Sequence, residues 1–154
     1  MILNGNLLPA VKVNKEKILI FNTCAFDSLL VAITVSYIDS KSYKLYIDNN
    51  KMNPFIRLCK DVALHGSTSI TYQQRGNLLL ESGFFKKSPV ESGTSMLDAN
   101  INIISLSNKL LSDIPSSIQT LECTICNTKT VFHDATIILN ELFNSSEHLE
   151  DINK

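Results

Sequence analysis

The spacing of apolar and polar positions divides this chain into short strands and amphipathic helices. Residues 1–16 read as a loop or weak edge strand, closed by Pro9. The run KILIF at 17–21 is short, apolar and rich in β-forming residues, which predicts a strand. Asn22 and Thr23 are good helix N-caps, and a helix is expected over 24–38. In that helix Ala25, Leu29, Ile33 and Tyr37 share one face, while Phe26, Leu30 and Val31 extend the apolar surface. A helix apolar on most sides belongs in the centre of a core.

The next segment, 39–50, is polar and mixed, with Tyr43 and Tyr46 as anchors. Asn53-Pro54 then gives a helix start, with Asn as cap and Pro at the first helical position. That helix is expected to run from 55 to 64 and to end near Gly66; another is expected over 70–80. GFFKKSPVESG at 83–93 reads as an exposed, turn-rich loop. Asp98 is expected to cap a helical segment reaching Leu111. Residues 116–123 and 129–139 read as two strands around CTIC, so the pair predicts a hairpin with a cysteine knuckle at its tip.

Composition narrows the picture. The chain has 154 residues, of which 44% are hydrophobic and 19% charged, as expected of a globular domain and not a disordered chain. Its formal net charge of −1 gives no pull toward nucleic acid or anionic lipid, so neither is expected as a partner. The apolar stretch at 18–38 is interrupted by Asn22, Thr23, Asp27 and Ser28. Its uncharged part is too short to span a bilayer, which needs about 20 residues. The N-terminus lacks the features of a signal peptide. An intracellular location is therefore expected, in cytoplasm or nucleus, with the four cysteines free, metal-bound or chemically active.

Cys24 stands at the first turn of the expected central helix, directly after a strand. Unpaired backbone N–H groups and the helix dipole stabilise a thiolate there. The same groups, with the Asn22 amide, offer an oxyanion hole. A cysteine beside a helix is otherwise a small packed hydrophobe. Cys123 and Cys126 have the spacing with which two thiolates on a tight turn share one metal ion. The other reading of that pair is two thiols at a turn.

The stretch FNTCAFDSLL resembles the cysteine box of ubiquitin-specific proteases, papain-like cysteine peptidases in which an Asn-Thr-Cys triplet leads into an aromatic, Asn-Ser and Leu-Gln. Phe26, Asp27, Ser28 and Leu29 occupy comparable places. The resemblance implies Cys24 as nucleophile. The glycines that precede the family's triplet are absent, and Leu19 occupies the region of its oxyanion-hole amide. In the same family a C-x-x-C knuckle follows in a β-finger and pairs with a second C-x-x-C to hold zinc. Here the second pair is missing, and His133 and His148 are the nearby histidines.

His133 is the candidate general base, on a strand well downstream of Cys24. The family's Gly-His-Tyr context is absent. His65, beside Gly66, is expected to meet helix-end carbonyls, and His148 is expected to be solvated.

The resemblance spans 17–140 loosely and maps onto the first half of a larger catalytic domain. The expected fold is α+β and partly papain-like. It is one domain over 1–154, with a helical, thumb-like part at 17–112, a finger-like hairpin at 113–140 and a polar tail at 141–154. Three functions follow. The first is a truncated or degenerate relative, of the kind that mobile elements or gene duplication leave behind, which binds ubiquitin, a ubiquitin-like protein or another protein without catalysis. The second is a minimal cysteine peptidase or deubiquitinase using Cys24 and His133. The third is a small interaction module built on a zinc knuckle with an incomplete ligand set. A half-domain would leave apolar surface for a partner or a second copy.

Overall fold

In the computed structural model of the chain, residues 2–50, 52–90, 93–115 and 117–134 are described. The expected strand becomes β2 (Glu16–Phe21), with the short β1 (Val11–Val13) antiparallel to it at the sheet edge. Asn14 and Lys15, both at positive φ, make the two-residue turn between them. Helix α1 (Cys24–Asp39) follows at once, then α2 (Lys41–Asn49), α3 (Pro54–His65) and α4 (Ser69–Glu81). Strands β3 (Lys87–Val90) and β4 (Thr94–Asp98) return to the sheet, whose order is β1-β2-β4-β3. β4 runs parallel to β2, from Lys17 opposite Thr94 to Phe21 opposite Asp98. Helix α5 (Ile103–Leu110) then leads to a separate antiparallel hairpin, β5 (Ser117–Glu122) and β6 (Lys129–Asp134). The class is α+β.

The central position expected of α1 is what the structure has. Ala25, Leu29, Ile33 and Tyr37 are all buried, as are Phe26 and Leu30. The helix packs on α2, α3 and α5, and Phe26 meets Phe55 of α3 edge-to-face at 5.2 Å. Of its large apolar side chains, Val35 and Ile38 face solvent.

Caps fix the other helices. The Asn53 side chain accepts from the Ile56 N–H at 2.9 Å, with Pro54 in the first turn. Its amide group donates to the Leu110 carbonyl at 2.8 Å and to Asp113 Oδ1 at 2.6 Å, which ties the start of α3 to the end of α5. Thr68 and Thr71 form a reciprocal capping box on α4. Helix α4 lies against β1, and Gly76 faces it closely. A Cβ there would sit 2.6 Å from Val13 Cγ2 and 3.0 Å from Ile20 Cδ1.

Three expectations are revised. Residues 41–49 are a helix, capped by Ser40, whose side chain accepts from the Tyr43 N–H. Residues 83–93 are exposed but not all loop, because β3 lies within them. Asp98 ends β4 and does not cap α5; Asn102 does, accepting from the Ile104 N–H at 2.8 Å. The part expected to be helical therefore also carries β2, β3 and β4 of a four-stranded sheet. The tail from 135 onward, with His148, lies outside the described residues, as does the end of the second expected strand. Among the described residues no helix is long and apolar enough to cross a membrane.

Candidate functional site

Two places carry the cysteines singled out in the sequence. The first is the junction of β2 and α1. Asn22 ends the strand at φ 56°, in the left-handed region that asparagine tolerates. Its backbone N–H donates to Asn6 Oδ1 at 2.8 Å, and its side-chain amide donates to Asp98 Oδ1 at 3.0 Å. The chain thereby turns out of the sheet, and Cys24 begins α1 with its side chain exposed. Among the described residues no hydrogen bond joins the Cys24 thiol to a base.

Thr23 holds the N-cap position without capping, because its hydroxyl is engaged elsewhere. It accepts from the Gly5 N–H at 2.7 Å and donates to Asp27 Oδ2 at 2.5 Å. Asp27 Oδ1 in turn receives Arg75 Nη1 at 2.8 Å, and the same nitrogen donates to the Leu3 carbonyl at 2.9 Å. Arg75 is 1% exposed, and its guanidinium also lies 5.2 Å from the centre of the Tyr72 ring. Two of the residues around Cys24 that suggested a cysteine box are thus members of a buried ion-pair network. That network binds the N-terminal segment, α1 and α4 together. Arg75 was missed in the sequence. In QQRGN it looks like one more polar residue on a solvated helix face.

The second place is the tip of the β5–β6 hairpin. The Cys123 N–H donates to the Thr128 carbonyl at 2.9 Å, and the Asn127 N–H donates to the Cys123 carbonyl at 2.8 Å. Asn127 adopts φ 55°, which lets the chain reverse tightly after the second cysteine. Cys126 Sγ lies 3.1 Å from Thr128 Oγ1. Hydrogen bonds from the Thr128 hydroxyl first, then from the Cys123 thiol and the Thr128 backbone, bring the Cys126 thiol down to about 7. Both cysteines are exposed, and Ile125 between them is 95% exposed. Glu122 and Lys129 pair across the base of the turn at 3.3 Å.

His133 is on β6, opposite Ile118 of β5. It belongs to the hairpin, whereas Cys24 belongs to the body. His65 ends α3, next to Gly66. Among the described residues no three His, Cys, Asp or Glu side chains gather as a metal site. The fourth cysteine, Cys59, is buried in α3, and burial pushes its thiol far up. Where the chain leaves α5 for the hairpin, Ile33, Tyr43, Tyr46, Ile56 and Ile114 line an open apolar cleft of about 310 Å³.

No family model matches the chain, and no solved structure matches it. Over 115 residues, 74% of its length, the chain is 34% identical to a 120.7 kDa protein in the NOF-FB transposable element of Drosophila melanogaster. The match covers 10% of that protein, so the chain corresponds to a small part of it.

Proposed function

We propose that the chain is a non-catalytic protein-binding module, related to a segment of a transposable-element protein. In this reading the binding end is the β5–β6 hairpin, and Cys123 and Cys126 form a zinc knuckle. The observation that carries it is the cysteine turn, which puts two exposed thiols within reach of one another and donates hydrogen bonds to the second. That donor set suits zinc, which favours thiolates in structural sites. Backbone and hydroxyl donors aimed at a sulfur are the outer-shell contacts that such ligands use. When bound, zinc would hold the two ends of the turn together; it is given no reaction to perform.

A lack of catalysis fits the first cysteine's surroundings. The Asn22 amide is engaged by Asp98, and Thr23 and Asp27 are engaged by Arg75. The test is zinc uptake by the reduced chain, read by metal analysis after desalting. Uptake that survives Cys24→Ser and disappears in Cys126→Ser is expected. A folded native chain that takes up no zinc sinks the reading.

One observation favours a second reading. Cys24 is exposed at the N-terminus of a buried helix directly after a strand, the placement that promotes thiolate chemistry. In that reading the chain is a partial papain-like peptidase of the ubiquitin-specific type. Cys24 would attack the carbonyl carbon, and a base such as His133 would take its proton. An electrophilic ubiquitin probe that labels the native chain but not Cys24→Ala would establish it.

A further inference from the structure

We propose that zinc joins two copies of this chain tip to tip, with Cys123 and Cys126 of each copy supplying the four sulfur ligands. The inference rests on the knuckle reading above and adds the partner. A structural zinc takes four ligands in a tetrahedron. One hairpin offers two, and among the described residues no third His, Cys, Asp or Glu joins them. A second pair of thiolates completes the tetrahedron. A two-fold contact supplies it directly, because in such a contact each surface meets its own copy.

The hairpin is built for an end-on meeting. Its strands pack chiefly on each other and not on the body of the protein, so the tip stands clear. Ile125, at the extreme of the turn, is 95% exposed, and Ile118, Leu121 and Val131 are each at least half exposed on the strands below. By the register Ile118 and Val131 share one face of the ribbon and Leu121 lies on the other, so the bared apolar group at the tip itself is Ile125. Charge does not oppose the meeting, since Glu122 and Lys129 beside the turn neutralise each other within each copy. Each copy binds through two thiolates, whatever thiol protons remain are released to solvent, and four Zn–S bonds form. The site is then a tetrathiolate with a net charge of −2.

The experiment titrates the reduced, metal-free chain of 154 residues with zinc sulfate. Metal content is measured together with mass, by light scattering on a sizing column and by native mass spectrometry. One zinc per two chains is expected, with a doubling of mass that a chelator reverses. Cys126→Ser should stay monomeric and metal-free with an unchanged circular-dichroism spectrum, while Cys24→Ser should behave as the native chain does. One zinc per monomeric chain, completed by ligands from 135–154, would overturn the proposal and leave the knuckle standing. A dimer that persists in chelator would overturn it as well. No uptake by the folded chain would remove both the proposal and the knuckle.

Discussion

Removing the Arg75 guanidinium would leave the Asp27 carboxylate buried without its partner and free the Leu3 carbonyl and Thr23 hydroxyl from a shared donor. Breaking a buried pair from one side typically costs about 3–5 kcal/mol. Arg75→Met is therefore expected to lose about that much stability in urea denaturation. Asp27→Leu combined with Arg75→Met should lose less than Arg75→Met alone, since no uncompensated charge remains. If the double variant instead loses the sum of the two single changes, the charges are not coupled. The thiols give a second residue-scale test. Cys24, Cys123 and Cys126 are exposed, while Cys59 is buried and its thiolate strongly disfavoured. An aromatic disulfide reagent added to the native, reduced, zinc-free chain should titrate three thiols quickly. The fourth should respond only after denaturant is added. Four fast thiols would mean that α3 opens readily.

The fit between α4 and the sheet is tested at Gly76. In an ordinary helix interior, alanine is favoured over glycine by about 1 kcal/mol. Here the added methyl would strike Val13, which is stiff and buried, and overpacking of that kind costs about 1–3 kcal/mol. Gly76→Ala should thus destabilise the chain. In a Val13→Ala background the same change should become neutral or stabilising. Melting temperatures of the four chains measure that reversal of sign.

The elements also show where sequence patterns inform. α1, α3 and α4 were legible from their apolar spacing, and α3 also from its cap, since Asn53 accepts from the Ile56 N–H as its Asn-Pro start implies. α2 was not, because Tyr43, Leu45, Tyr46 and Ile47 give no clean face and only Ile47 is fully buried. β4 was not, because its pairing with β2 is parallel and joins residues far apart in the chain. Non-local pairing of this kind leaves little local signature in a five-residue strand such as TSMLD.

At the scale of the whole molecule the chain divides into a body organised around α1 and a hairpin that largely supports itself. The division bears on how each half of the candidate chemistry could be read. CTIC, with strand-like flanks, announced the cysteine turn from local residues alone. Cys24's place at a helix start was equally legible. Its neighbours were not, because the role of Thr23 and Asp27 depends on Arg75, which arrives from a helix two elements beyond α2. An isolated two-stranded hairpin is marginal in water, and the exposed apolar residues on β5 and β6 gain little from the body. Local opening follows such differences in packing. In the metal-free chain, amide hydrogens across 117–134 should exchange much faster than those of β2, β4 and α1. Zinc should slow exchange in the hairpin and leave the body unchanged, because metal binding there is coupled to the order of the turn. If the metal-free hairpin is as protected as β2, it is held by the body after all. The tip would then not be free to take a partner through zinc alone.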